Sequence, residues 1–390
     1  MTPNNNNNNN IMPAKLNNVQ GNGSTNVVAA TGIKHRNKTF VNSLISWWDT
    51  YTDFTWFIIC SIGYILKDLY YIAFGYPEKD LSTDIALITG GGNGLGRLLA
   101  MRLSKMGTKV IIWDINKEGI KETINMVEDE GGYCKGYVVD ISKKEDVYKA
   151  ADVIRSEVGD VTLLINNAGV VSGLHFLDTP DHLIERSFNV NIMAHFWTTK
   201  AFLPKMIEND RGHIATIASL AGTVGISKLV DYCASKFAAI GFDEALRLEL
   251  DVLGHASIKT TCICPFFIRA TGMFDDVNAR WVSTLKPNHV ADRTIQAIQK
   301  NQELAIIPGY LRILLTLKWT FPWGCTAGLL RRLVPDASPH GHATASLDKP
   351  ATPPQIKKLT SDLNSNFSDS LPKTASLLIQ RQPSLGERVL

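Results

Sequence analysis

The stretch Thr89-Gly90-Gly91-Gly92-Asn93-Gly94-Leu95-Gly96 constrains this chain more than any other part of it. The apolar run 85–88 before it reads as a short strand. Residues 95–105 after it read as a helix, which Gly107 ends. Glycines in such a turn let the backbone approach a pyrophosphate, and the helix N-terminus adds amide donors and a positive dipole end. Gly90, Asn93, Gly94, Leu95 and Gly96 are therefore expected to hold a nucleotide. The rhythm continues with strands over 110–113, 137–139 and 161–165 and a helix over 117–129, and it runs to about residue 307. Strands apolar on both faces and separated by helices imply a parallel sheet covered on both sides. The expected fold is an α/β, doubly wound, Rossmann-type domain.

Asp114 ends the second strand, eighteen residues after Gly96. A carboxylate at that place accepts from ribose hydroxyls. It also repels a 2′-phosphate, by roughly 4 kcal/mol at about 4 Å with an effective dielectric near 20. The next residue is Ile115 rather than an arginine, and the glycine loop contains Asn93 rather than a basic residue. The balance favours NAD over NADP. Asp140 ends the third strand, where it serves either as an acceptor for the adenine amino group or as a turn former. Asn166-Asn167-Ala168-Gly169 ends the fourth strand, where a ligand crevice is expected, so Asn167 joins the cofactor site.

Tyr232 and Lys236 lie four apart in a helical stretch and so share a face. A free phenol has a pKa near 10, and a nearby ammonium favours its ionised form. The tyrosine can then act as base toward an alcohol or as acid toward a carbonyl. Such a pair is common by chance. Ser219, thirteen residues before Tyr232 and just after the strand 213–217, strengthens it, because its hydroxyl can orient a substrate oxygen. Asn191, in Asn189-Val190-Asn191, lies on the preceding helix.

Taken together, these residues resemble the short-chain dehydrogenase/reductase family over about residues 84–307. The matching motifs are its T-G-x-x-x-G-x-G (Thr89 to Gly96), N-N-A-G (Asn166 to Gly169) and Y-x-x-x-K (Tyr232 to Lys236). The resemblance implies Tyr232 as acid/base and Lys236 as perturber of its pKa and ligand of the nicotinamide ribose. It further implies Ser219 as stabiliser of the substrate oxygen and Asn191 as holder of a relay water. The segments 169–173, 194–204 and 271–274 look like the microsomal and epidermal retinol dehydrogenases and the lipid-droplet 17-beta-hydroxysteroid dehydrogenases. That subgroup implies a lipid alcohol as substrate, retinol first and a steroid as the alternative. One departure concerns Pro265-Phe266-Phe267-Ile268-Arg269-Ala270-Thr271, where the family's P-G-x-x-x-T has one residue fewer. It puts the expected contact of Thr271 with the nicotinamide amide in question.

The flanks carry a different message. Residues 1–38 are rich in Asn, Gly, Ser and Thr, with an unbroken Asn4 to Asn10 run, and are expected to be disordered. Residues 39–77 are aromatic and apolar and are read as a membrane anchor. The uncharged run 54–66 spans roughly 20 Å as a helix against a hydrocarbon core of roughly 30 Å. An interfacial helix or a hairpin is therefore expected in preference to a clean crossing. The catalytic domain is placed at 78–307, an amphipathic helical segment at 308–335 and a disordered tail at 336–390. Tyr310, Ile313, Leu314, Leu317 and Phe321 recur at helical spacing in that segment. The expected location is the endoplasmic reticulum membrane or a lipid droplet, with the catalytic domain on the cytosolic side and a homodimer through helices. A net charge of +3 over 390 residues argues against a nucleic-acid partner. The six cysteines lack metal-ligand spacing, so no metal site is expected, and they are read as core thiols in a reducing compartment.

Overall fold

The computed structural model describes residues 27–334 apart from 270–272, 275, 276, 278 and 281, and apart from the side chains of 27–45 and 317. The chain divides into two units between Tyr76 and Pro77. In the first, α1 (Val27–Phe74) is one unbroken helix of 48 residues. It starts well before residue 39, so the boundary drawn at 38 falls inside it. The hairpin expectation is also corrected: Asp49, Asp53, Lys67 and Asp68 interrupt the apolar pattern but not the helix. Extending an existing helix costs little per residue, and a charged side chain does not break it as proline would. Residues Ser46–Phe74 are long and apolar enough to cross a membrane. At 1.5 Å per residue this stretch reaches about 43 Å, more than a hydrocarbon core requires.

The second unit alternates strand and helix. In chain order it runs β1 (Ile85–Thr89), α2 (Gly94–Lys105), β2 (Lys109–Asp114), α3 (Lys117–Asp129), β3 (Cys134–Val138), α4 (Lys144–Glu157) and β4 (Leu163–Asn166). Then follow α5 (Asp181–Phe188), a π-turn (Asn189–Met193), α6 (Ala194–Glu208), β5 (Gly212–Ile217), α7 (Val230–Val252) and β6 (Ile258–Pro265). The chain goes on through α8 (Pro287–Gln299), β7 (Leu304–Ile307), α9 (Leu311–Thr320) and α10 (Trp323–Leu333). The single helical segment expected over 308–335 is two helices, because Pro322 breaks the run and begins the second.

The seven strands form one parallel sheet in the order β3-β2-β1-β4-β5-β6-β7. Successive side chains of a strand point to opposite faces. Ala86 and Ile88 of β1 accordingly enter one core with Leu99, Leu103 and Ile295. Leu87 enters the other, with Trp113, Ile154 and Phe202. Each core is a helix layer on one face of the sheet, as the doubly wound expectation requires. Strand order reverses between β1 and β4, and the C-terminal edge there opens into the crevice where such sheets bind ligands. Cys262 and Cys264 do share a face of β6, their sulfurs 3.9 Å apart and buried. All six cysteines are free, but Cys60 is half-buried and Cys325 exposed, so the core-thiol reading fails for those two. They sit on α1 and α10, where each helix turns a face away from any core.

Candidate active site

A cavity of about 530 Å³ runs along the C-terminal edge of the sheet. Gly90, Asn93, Gly94, Leu95, Asp114, Asp140, Asn167, Ser219, Tyr232 and Lys236 all line it. Local physics explains how the loop is held. Gly90 has φ +67°, a left-handed conformation open to glycine. A Cβ on Gly96 would stand 2.0 Å from the Gly90 carbonyl oxygen, so α2 can approach the loop only without a side chain there. Gly96 therefore shapes the cradle from beneath and does not line it. Asn93 caps α2, its side chain accepting from the Gly94 N–H at 2.8 Å. The Asn167 amide donates to the carbonyls of Thr89 and Gly90 at 2.9 and 3.2 Å. Asn167 thus braces the loop, in addition to lining the cavity.

Asp114 accepts from the Gly92 N–H through one oxygen and from the Asn116 N–H through the other, both at 2.9 Å. A carboxylate has about four acceptor sites, so two remain for hydroxyl groups. The Arg97 guanidinium reaches the outside of the loop, but it is committed to the Gly92 carbonyl, Thr123 and Glu122. Asp140 accepts from the backbone and hydroxyl of Ser142 and pairs with Lys143 at 3.2 Å. Its turn-forming role is realised while its residue still faces the cavity.

Tyr232 and Lys236 sit one turn apart on α7, both buried. The Lys236 ammonium lies 5.8 Å from the Tyr232 ring centroid. Burial drives the Tyr232 phenol well above its ordinary pKa, while a hydrogen bond with the Ser219 hydroxyl pulls the other way. Desolvation dominates this shift, and the Lys236 charge is not among its causes. Burial also brings Lys236 down to about 8. Ser219 lies just beyond β5, its hydroxyl accepting from the Ala221 N–H at 3.1 Å.

Asn191 is fully buried in the π-turn and does not line the cavity. Its side chain grips the Val170 peptide, accepting from the N–H at 2.8 Å and donating to the carbonyl at 2.9 Å. It also donates to the Ser235 hydroxyl at 3.0 Å. These three bonds tie the loop after β4 to the π-turn and to α7. Thr271 lies outside the described residues.

Several neighbours were not singled out by sequence reasoning. Phe274 stands edge-on to Tyr232 at 5.5 Å and to Phe267 at 5.1 Å, and Phe267 meets Phe266 at 5.0 Å. These rings wall the substrate side of the cavity. Asp231, beside Tyr232, accepts from the hydroxyls of Ser172 at 2.7 Å and Ser187 at 2.5 Å. The only signal in the sequence was Phe266, at the place of the family motif's glycine, followed by Phe267.

A cradle that Cβ atoms would fill, amide donors at the start of α2 and a carboxylate at the end of β2 fit a dinucleotide. The other end of the cavity offers a hydroxyl and a phenol for a substrate oxygen.

Comparison with known proteins agrees with this geometry. The family model described as short chain dehydrogenase matches residues 84–281. Short-chain dehydrogenase/reductase family 16C member 6 of Bos taurus is 47% identical over 259 residues, covering 65% of this chain and 82% of that protein. Epidermal retinol dehydrogenase 2 of Homo sapiens is 45% identical over 266 residues, covering 67% and 86%. Estradiol 17-beta-dehydrogenase 11 of Rattus norvegicus is 43% identical over 256 residues, covering 66% and 86%.

Proposed function

Because this chain belongs to the short chain dehydrogenase family, we propose that it is a membrane-attached dehydrogenase of lipid alcohols, oxidising retinol to retinaldehyde with NAD. One observation carries the reading: Ser219, Tyr232 and Lys236 face the same cavity as the glycine cradle. The chain is an oxidoreductase taking a nicotinamide cofactor and a small-molecule substrate. Gly90, Asn93, Gly94 and Leu95 would hold the pyrophosphate, Asp114 the adenosine ribose, Asp140 the adenine and Lys236 the nicotinamide ribose. When bound, the cofactor supplies the ring carbon that takes up or returns the hydride. The free acceptor sites on Asp114, the exposed Ile115 and the committed Arg97 support NAD in preference to NADP.

Ser219 orients the substrate hydroxyl, and Tyr232 takes its proton in oxidation and gives it back in reduction. Burial raises the proton affinity of the phenol. Oxidation requires that proton to leave first. The Ser219 hydrogen bond lowers the cost of doing so, and the Lys236 charge stabilises the phenolate that results.

A 17-beta-hydroxysteroid is the second reading, favoured by the 43% identity to the estradiol dehydrogenase. A scaffold role with catalysis lost is opposed by the intact Ser219, Tyr232 and Lys236.

Membrane attachment, at the endoplasmic reticulum or a lipid droplet with the catalytic unit in the cytosol, belongs to the same proposal. Large apolar side chains stay exposed all round α1, from Trp47 and Phe54 to Phe74. A helix apolar on every side calls for a protein core or lipid around it. Burying each such side chain is worth about 1.5–3 kcal/mol. Near the C-terminus, Tyr310, Ile313, Trp319, Phe321 and Trp323 are also exposed, and Arg312, Lys318, Arg331 and Arg332 occur with no acidic residue between Glu303 and Asp336. That composition suits an anionic lipid surface. Pairing with a second copy would use α6 and α7, where Phe196, Leu248 and Val252 stay exposed.

Turnover of retinol with NAD by the wild type and by Tyr232→Phe tests the activity. General acid/base catalysis contributes typically 10²–10⁴-fold, so a loss of that order is expected with NAD affinity kept. A variant within threefold of wild type would refute the assignment of Tyr232.

A further inference from the structure

A second cavity, of about 200 Å³, lies on the other side of Ser219. Ser219, Pro265, Phe266 and Phe267 line both cavities, so the two share this wall. Beyond that shared wall most of the lining residues are apolar, with Ser227 and Arg331 the polar ones. Val224 and Ile226 come from the loop between β5 and α7, and Ala327 and Leu330 come from α10. Trp323 and Arg331, both exposed, stand among the outer lining residues.

Protein interiors are close-packed, and voids much larger than a water molecule are few. A mostly apolar pocket of this size accepts an apolar guest of matching shape. Packing of α10 alone therefore does not account for it. Ala327, small and buried, lines the space together with Val224 and Ile226 and takes up little of it. The neighbouring elements are fixed: Lys318 on α9 donates to the Thr223 carbonyl at 2.8 Å, and the Arg280 N–H donates to the Leu333 carbonyl at the end of α10 at 2.9 Å.

Resting on the dehydrogenase reading of the first cavity, we propose that the second cavity is the seat of the substrate's apolar tail, and that Ala327 and Leu330 of α10 set the tail length accepted. The occupant is the hydrocarbon chain of a long primary alcohol whose hydroxyl is held at Ser219 and Tyr232. Three features argue for it: a wall shared with the oxygen-binding end at Ser219, lining mostly by apolar side chains, and an outer rim that includes the exposed Trp323. Phe266, at the place of the motif's glycine, and Phe267 form the collar through which the chain would pass.

Full-length protein in detergent, assayed with NAD on 1-dodecanol and 1-butanol, tests the assignment. Ala327→Phe puts a ring into the space. The ratio of kcat/KM for dodecanol to that for butanol should fall at least tenfold. Leu330→Ala enlarges the space and should shift that ratio upward. A ratio within twofold of wild type in either folded variant would overturn the proposal. Equilibrium dialysis with tritiated 1-dodecanol gives an answer independent of turnover. Binding weakened at least tenfold by Ala327→Phe supports the tail site, and binding equal to wild type sinks it. If the wild type binds dodecanol but oxidises neither alcohol with NAD or NADP, the dehydrogenase reading fails while the dialysis result still decides the cavity.

Discussion

The Lys236 ammonium donates to the main-chain carbonyl of Ile217 at 2.8 Å. The carbonyl belongs to the last residue of β5, two positions before Ser219, so one hydrogen bond fixes the helix that carries Tyr232 to the strand that presents Ser219. Lys236 is therefore a structural tie as well as a charge.

Replacing Lys236 by Met should expose that double role. The ammonium's support for a phenolate is lost, and kcat should fall by 10² or more, in the range of acid/base effects. Stability carries a separate sign. In the fold Lys236 titrates near 8 rather than 10.5. Between those values the unfolded chain binds the additional proton, so the contribution of this group to stability rises with pH across the window. The full rise is on the order of 3 kcal/mol, at 1.36 kcal/mol per unit. Chemical denaturation of wild type and variant at pH 7.5 and 10 checks it. A stability difference that does not move with pH would show that Lys236 is not buried as a cation.

Asp114 is predicted to discriminate between the two nicotinamide cofactors. Asp114→Ala removes repulsion of a 2′-phosphate, and Ile115→Arg supplies a guanidinium from an exposed position, 68% accessible. The double variant should shift the NADP/NAD ratio of kcat/KM upward by at least 100-fold. Its NAD affinity should also drop, because the Gly92 N–H loses its acceptor. An unchanged ratio would mean that another group reads the ribose.

Gly96→Ala tests the cradle by sterics alone. The new Cβ would meet the Gly90 carbonyl oxygen at 2.0 Å, and that oxygen is main chain and cannot swing aside. NAD affinity, measured by fluorescence titration, should fall at least tenfold, and the melting temperature should drop by several degrees. Retention of wild-type affinity would show that the loop has room that its geometry denies.

Attachment to lipid should depend on both apolar flanks. Removing residues 1–77 should weaken sedimentation with anionic vesicles. Substituting Trp319 and Trp323 by Ala in that truncated chain should reduce it further. High salt should weaken whatever attachment remains, through Arg331 and Arg332. Sedimentation of the doubly altered protein at the wild-type level would refute the lipid-surface role of these residues.

The parts of this molecule that sequence reasoning reached are those in which neighbours in the chain are neighbours in space. Thr89 to Gly96 is one turn, and Tyr232 and Lys236 are one helical turn apart. Asp114 ends a strand whose apolar run announces it. The parts it missed depend on distant segments meeting. Phe274 reaches Tyr232 across forty-two positions, and nothing local to either residue reports it. Asn191 finds the Val170 peptide, a partner that only the folded chain supplies. The π-turn around it leaves no mark on a helical apolar pattern, since it widens one turn without changing which residues are apolar. In the same way the charged neighbour of Tyr232 is legible from its spacing, while the burial that raises its proton affinity is a tertiary quantity. In α1 the error was one of emphasis on charges, which lower hydropathy locally but leave a helix intact.

Asp231 gathers a hydroxyl from Ser172, in the loop after β4, and another from Ser187, at the end of α5. Two stretches of the chain are thereby tied to a side chain of α7 next to Tyr232. Grafting the loop 169–173 from a relative with another substrate preference will transplant that preference only if its serine comes along. A donor lacking the hydroxyl leaves one acceptor of a buried carboxylate unmet and lets the tyrosine's helix drift. Exchange of specificity in this scaffold is therefore modular at the level of the three segments together, and not loop by loop.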